Sequence, residues 1–318
     1  MAVMNLARPV APLTLALLAA MPLVASAGEG WPRLADGTRS VIFVTGEDMG
    51  FVQPPGCDGR LGGALYREPF DRWLAVERAD VERIWVAAGN GSAYEDLGST
   101  VSLDELLALY ERVGYRAFAP GLRDVGPLLT LGRGGESARQ TLPLLAANLR
   151  EFETGEPLFG ESAVVETDAG RVAFVGVLPH RPDSLWGQPP QGTVLTEDDA
   201  SSVREAVGAL RDEADLVVLL ASHSYTELHE LLGRIEGVDV VVSARSGAAR
   251  ATPEEVRGVP VLWIGWRGHY LGRLALGGGG EILSIDAVRV EGDFPVDPLT
   301  GELKAAASDP GPLSVDAR

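Results

Sequence analysis

Five short apolar runs of this chain end in residues that could do chemistry. Glu47 and Asp48 follow the run 41–45 (VIFVT), and Asn90 follows 84–88 (IWVAA). Arg123 and Asp124 follow 117–119 (AFA), His223 follows 216–220 (LVVLL), and Arg245 follows 238–242 (VDVVV). Two chemistries are open to such a set. Carboxylate, amide oxygen and neutral imidazole donate lone pairs to a hard or borderline cation, so Glu47, Asn90 and His223 are the candidates for holding one Mn or Zn ion. Arginine grips carboxylate or phosphate bidentately without any ion, so Arg123 and Arg245 are candidates for a small anion. Their permanent positive charge would also sit beside any dication and oppose it. Cys57 is a third candidate. It is the only cysteine, so no intramolecular disulfide can form, and a redox or soft-metal role would lack a resolving thiol in this chain.

These residues need a scaffold of strands that stop at one edge. The runs 41–45, 84–88, 117–119, 142–147, 172–177, 216–220, 238–242 and 261–264 are apolar or β-branched and bounded by Gly, Asn, Asp or Ser, as buried strands should be. Helices are expected between several of them. Ser102 and Glu105 form a capping box before 103–112, and Gly114 ends that helix. Ser224 and Glu227 repeat the device before 225–235, and Thr252-Pro253-Glu254-Glu255 does so before a short third helix. Residues 197–213 read as another helix, with Val203, Ala206, Val207 and Leu210 on one face. A hairpin is expected from 162–167 to 171–177, and another from 270–276 to 282–290. The glycines 277–280 between the last two strands form a turn, because a phosphate cradle would open a helix.

The run 40–63 (SVIFVTGEDMGFVQPPGCDGRLGG) resembles the opening of the 5′-nucleotidase branch of the calcineurin-like phosphoesterases, where a buried strand ends in Asp-x-His-Gly before a Gly-Gly helix start. Further pieces follow in the same order: 84–90 (IWVAAGN), 115–124 (YRAFAPGLRD), 142–148 (LPLLAAN), 170–178 (GRVAFVGVL), 219–223 (LLASH), 238–242 and 265–274 (GWRGHYLGRL). The resemblance implies an α/β fold, a four-layer α/β/β/α sandwich of two mixed sheets, with two divalent metals at the strand ends that generate a hydroxide nucleophile. It also implies that most of the ligands are gone. Glu47 and Met49 stand where the family has Asp and His, Asn90 where it has the bridging Asp, and Leu122 and Arg123 where it has Asn and the general-acid His. His223 is kept, while Arg245 and Gly247 stand at the two closing histidines. Such a set should not assemble a dimetal centre, so no cofactor is expected. The stretch 56–63 around Cys57 also resembles an offshoot of this family that includes selenoproteins.

Each of these residues has a plainer role open to it. Glu47 and Asp48 are expected to ion-pair with Arg123 and Arg245 in the old metal cavity, His223 to be a hydrogen-bonded structural histidine, and Asp124 to cap a turn. His180, His229 and His269 are expected to be solvated or structural, and Trp263 and Trp266 to pack in the core or at a rim.

Composition narrows the class further. The chain has 318 residues, 46% hydrophobic and 23% charged, which suits a globular core. Its formal charge of −18 repels a phosphate backbone and excludes nucleic acid as an expected partner. Residues 1–27 read as a secretory signal: Arg8, an apolar stretch over 9–24, and Ala25-Ser26-Ala27 as the cleavage site. A periplasmic or extracellular location is therefore expected, with no membrane association after cleavage. Residues 28–290 would be one phosphoesterase-like domain and 291–318 a disordered tail. Three functions follow as alternatives: an inactive binding or accessory protein for a small anionic ligand or a soluble protein, a residual metal-dependent phosphoester hydrolase, or a thiol-dependent redox accessory protein through Cys57.

Overall fold

Two sheets of this protein are built from strands whose alternate residues face each other, as a computed structural model shows for residues 34–52, 62–92, 102–132, 142–179, 189–196, 198–245, 250–265 and 267–290. The expected leader 1–27 and tail 291–318, together with Cys57, His180, Gly247 and Trp266, lie outside the described residues.

The elements in chain order are β1 (Ser40–Gly46), α1 (Arg67–Glu77), β2 (Glu82–Gly89), α2 (Leu103–Val113), β3 (Tyr115–Pro120), α3 (Leu122–Thr130) and β4 (Leu149–Glu151). They continue with β5 (Ser162–Thr167), β6 (Gly170–Val177), β7 (Thr193–Leu195), α4 (Asp199–Leu210), β8 (Leu216–Ala221) and α5 (Tyr225–Leu232). The last strands are β9 (Val240–Ser243), β10 (Glu254–Val256), β11 (Val259–Trp263), β12 (Tyr270–Leu276) and β13 (Ile282–Arg289). The first sheet has the order β13-β12-β1-β2-β3 and the second β10-β11-β9-β8-β6-β5, while β4 and β7 form a separate ribbon. β1, β2 and β3 are parallel, as are β6, β8, β9 and β11, so each sheet ends a set of parallel strands at one edge.

Alternation along the strands divides the core. Ile42, Val44, Ile84 and Val86 of the first sheet pack between the sheets with Phe174, Val218, Leu220 and Val242 of the second. The other face of the second sheet buries Val175, Val217, Leu219 and Val241 against Val203 and Val207 of α4 and Leu228 of α5. On the outer face of the first sheet Phe43 stacks on Trp85 at 4.8 Å and meets Phe70 of α1 edge-on at 5.7 Å, and Tyr110 of α2 stacks on Tyr115 at 4.3 Å. Helices outside and two sheets inside give the four-layer sandwich expected from the sequence.

Local signals explain most boundaries. The capping boxes at Ser102 and Ser224 are both formed, and Gly114 closes α2 in the left-handed region at φ 85°. Two expectations fail. The helix expected after Thr252 is the strand β10, because Arg257 and Gly258 both take positive φ (54° and 82°) and turn the chain straight back into β11. The strand expected over 142–147 pairs only through isolated bridges, Leu144 with Phe118 and Leu145 with Gly160, because this segment crosses from one sheet to the other. Gly176 allows that crossing, since a Cβ there would lie 2.1 Å from the Leu145 carbonyl oxygen. Among the described residues no helix is long and apolar enough to cross a membrane.

The outer layer also holds a fully buried ion pair. Arg67 opens α1, and its guanidinium meets Asp48 through both nitrogens, Nη1 to Oδ2 at 2.9 Å and Nη2 to Oδ1. The Tyr110 hydroxyl donates to the same carboxylate. The guanidinium also lies 5.9 Å from the Tyr66 ring centroid and 5.8 Å from that of Tyr110. Removing one partner of such a pair leaves a charge without water or counter-charge. Arg67→Met is therefore expected to lower the unfolding free energy in urea by roughly 3–5 kcal/mol, and adding Asp48→Leu to recover more than half of the loss.

Candidate functional site

The parallel strands of the two sheets end against each other. A Cβ on Gly46, the last residue of β1, would lie 2.9 Å from the Ala244 Cβ, and one on Gly89, at the end of β2, would lie 2.6 Å from it. Ala244 follows β9, so the end of the second sheet is wedged against the ends of β1 and β2. The strand-end residues singled out among the described residues fall into three groups by their contacts.

Glu47, Asn90 and Asp124 make the first group. Glu47 is buried and takes φ 51°, a left-handed conformation that a side-chain-bearing residue adopts only when its surroundings impose it. The surroundings are visible: its N–H donates to the Ala88 carbonyl, and its carbonyl accepts from the Arg267 N–H at 2.6 Å. Its Oε1 accepts from Asn90 Nδ2 at 3.0 Å, while Oε2 has no hydrogen-bond partner. Burial pushes the Glu47 carboxyl up to about 8, with the charges of Asp124 and Asp48 adding to the rise and the Asn90 hydrogen bonds opposing it. The Asn90 Oδ1 accepts from the Arg123 N–H at 3.4 Å, and a Cβ on Gly121 would lie 2.0 Å from that oxygen.

Asp124 is more than a cap. Its carboxylate accepts from the N–H groups of Gly121 at 2.8 Å, Gly91 at 3.1 Å and Ser92 at 2.6 Å, tying the start of α3 to the loop after β2. Burial raises its carboxyl to about 6 against the pull of those bonds. Leu122 is buried on α3, and the Arg123 side chain is half-buried beside it. Met49, with φ 53°, is buried and packs against Phe51.

Asp48 belongs to the second group, the Arg67 and Tyr110 cluster of the outer layer. This corrects the expectation that Glu47 and Asp48 pair with Arg123 and Arg245. The left-handed turn at Glu47 sends the next side chain to the opposite side of the sheet, under α1 and α2, where Arg67 is waiting. The third group lies on the second sheet. His223 is fully buried, with Nε2 3.5 Å from Asp199 Oδ2 in an alignment that makes no hydrogen bond, and neither ring nitrogen has a hydrogen-bond partner. The expected hydrogen-bonded imidazole is therefore not found; it is the His223 carbonyl that is bonded, accepting from Ser243 Oγ at 2.7 Å. Arg245 Nη1 donates to both oxygens of Glu227, at 3.1 and 2.9 Å. Burial acts against ionisation of Glu227, but hydrogen bonds from Ser224 and the charges of Arg245 and His223 outweigh it and hold the carboxyl below its ordinary range.

The remaining aromatic and imidazole candidates have packing roles. Trp263 is buried and donates from Nε1 to Glu254 at 3.1 Å. His229 is half-buried and stacks on Tyr225. His269 is half-buried too, and burial with the charges of Arg267 and Arg289 pulls it down to about 4. Four residues of these groups carried no sequence signal of their own, namely Arg67, Tyr110, Asp199 and Ser92. Glu227 was visible only as half of a capping box.

At two positions where the family resemblance implies ligands, Met49 packs in a core pair and Leu122 lies on a helix, while Asp124 spends its oxygens on three N–H groups and Asp48 is held by Arg67 and Tyr110. Among the described residues no three side chains of His, Cys, Asp or Glu come together as metal ligands.

Searches against family models and curated proteins find no match. Solved structures do match. The chain is similar to the Thermus thermophilus sulfate thiohydrolase SoxB, with TM-score 0.63 and 18% identity over 87% of this chain and 59% of that one. It is similar to a 5′-nucleotidase precursor from Thermus thermophilus, with TM-score 0.60 and 20% identity over 79% and 54%. It is also similar to the Haemophilus influenzae NAD nucleotidase, with TM-score 0.57 and 14% identity over 79% and 50%. The fold is thus the metallophosphoesterase-like sandwich. The chain spans between half and three-fifths of the length of these neighbours.

The Glu47 carboxyl gives a signed pH prediction. Its folded value of about 8 lies above the ordinary 4.5, so the fold binds a proton that the unfolded chain has released between those values. The contribution is fully present below about pH 4.5, is lost as pH rises to about 8, and is constant above. Relative to Glu47→Gln, the wild type should therefore lose stability by up to about 1.4 kcal/mol per pH unit across that window, read by urea unfolding at several pH values.

Proposed function

We propose that this chain is an exported, 5′-nucleotidase-like protein that has given up dimetal catalysis and serves as a binding or accessory protein, with a small anion as the ligand at its strand ends. The observation that supports the reading is the engagement of strand-end groups within the protein: Glu47 is bonded to Asn90, Asp124 to three backbone N–H groups and Arg245 to Glu227. Those groups are engaged with each other rather than arranged around a common point. The thiohydrolase and nucleotidase activities of the structural neighbours belong to those proteins, since function resides in the site and not in the fold. Export is supported by the signal-like composition of residues 1–27. An anion at Arg245 would bind by competing with Glu227 for its guanidinium.

A second reading has one specific observation behind it. Glu47 Oε2 and both ring nitrogens of His223 are buried without hydrogen-bond partners, and such groups are costly unless something occupies their lone pairs or protons. A residual hydrolase would hold one Mn or Zn ion with Glu47, Asn90 and His223.

Elemental analysis of the mature protein after incubation with Mn or Zn and exhaustive dialysis separates the two. The binding-protein reading expects less than about 0.1 equivalent of metal and no metal-stimulated hydrolysis of p-nitrophenyl phosphate. A full equivalent of metal that disappears in His223→Ala, with hydrolysis that rises on metal addition, would replace it with the residual hydrolase. The anion component has its own measurement: phosphate binding by calorimetry should weaken at least tenfold, about 1.4 kcal/mol, in Arg245→Ala.

A further inference from the structure

The last turn of α3 does not face the strand-end cluster that its first turn completes. Together with the start of α2 and the chain before β7, it walls an open groove of about 750 Å³. Leu103, Pro127, Leu131 and Pro190 give that groove an apolar lining, and among the described residues Asp104 supplies its charged side chain. Leu131 is 41% exposed.

From Gln191 at the groove the chain runs directly into β7 of the β4–β7 ribbon. Gly192, one residue beyond the groove residue Gln191, accepts from the Phe152 N–H at 2.9 Å, so the ribbon tip is anchored to the groove wall. Phe152 is 70% exposed and Val194, across the ribbon, 39%. An aromatic side chain left this far in water next to other apolar surface marks an interaction site more often than a folding accident. Among the described residues, the exposed charged side chains beside Phe152 are acidic. Glu151, Glu153 and Glu156 are all exposed beside Phe152, and Asp104 stands at the groove. The ribbon's arginine, Arg150, is committed to Glu161 and to the Ala147 carbonyl.

We propose that the groove and the adjoining ribbon tip are a docking surface for a basic segment of a partner protein, one that places an apolar anchor against Phe152 and Leu131 and its lysines or arginines against the surrounding carboxylates. An anchor in a desolvated groove supplies affinity, and complementary charge at the rim supplies steering and selectivity. A second copy of this chain suits the surface poorly, because it would bring the same carboxylates against each other. The inference rests on the reading of the chain as a binding protein and not on the state of its strand ends, so the metal and peptide measurements can fail independently.

The test uses a fluorescein-labelled peptide of about 12 residues made of lysine, leucine and one phenylalanine, with a glutamate-for-lysine counterpart, titrated by anisotropy at about 150 mM salt. The basic peptide should bind and the acidic one should not. Phe152→Ser should weaken binding at least tenfold, Glu153→Lys several-fold, and Glu230→Lys on α5 should leave it unchanged. Val194→Ser provides a second apolar change, and unchanged urea midpoints confirm that the variants are folded. Equal weakening by Glu230→Lys would mean diffuse attraction to an acidic protein and overturn the proposal. So would binding of neither peptide, or a dimer in sedimentation that Phe152→Ser dissociates.

Discussion

A carboxylate removed from water must find its compensation inside the protein, and the strand-end junction buries four of them. Each is handled differently. Asp48 takes a guanidinium and a phenol. Asp124 takes three backbone N–H groups, a solution that needs no counter-charge because aligned amide dipoles do the work of one. Glu47 takes an amide and keeps its proton over much of the ordinary pH range, since neutralisation is easier than ionisation where Oε2 has no donor. Asp199 accepts from the Ala200 N–H at 2.8 Å and lies 3.5 Å from His223 Nε2. Burial is the constraint that unites them, and it explains why so many polar residues can stand at these strand ends without converging on one point.

Steric closure at the same junction fixes where those groups can go. Gly46 and Gly89 admit Ala244 at distances no Cβ would tolerate, and Gly121 admits the Asn90 amide. The ends of the two sheets are therefore drawn into close contact at Ala244. Arg245 follows Ala244 by one residue and is carried past the junction to Glu227 on α5. The same Glu227 accepts at the N-terminus of α5, so one carboxylate ends the helix and neutralises the arginine. Small residues at the contact and a shared carboxylate beyond it account for the separation of the first and third groups.

Strands were legible in the sequence because both of their faces are buried, and such segments show as unbroken apolar runs such as 216–220. The helices with side-chain caps were legible for the same local reason, and the α2 and α5 starts fall on the capping serines. What was not legible depended on distant partners. α3 contains Gly126 and Pro127 within nine residues, which reads as a loop; its stability comes from Asp124 and from burying Leu122, Val125 and Leu128. β10 carries a Thr-Pro-Glu-Glu start that suits a helix, yet the Arg257-Gly258 turn commits it to β11. In the site, the identities of Glu47, Asn90, Asp124, His223 and Arg245 were readable from their positions after strands. Their pairings were not, since Arg67 and Tyr110 come from two helices that no local pattern ties to Asp48.

The division of α3 between two environments bears on how a fold of this kind can take on a new task. Its first turn is held by buried hydrogen bonds and tolerates little change, because Asp124 serves three donors at once. Its last turn faces the groove, where Leu131 is exposed and substitutions meet solvent. Surface positions away from buried contacts usually change stability by no more than about 0.5 kcal/mol, whereas a buried donor left without its acceptor costs about 1–3 kcal/mol. Variation is therefore far less constrained on the groove side of the helix than on the junction side. The same short helix therefore joins a constrained, buried end at the strand-end junction to a permissive, solvent-facing end at the groove.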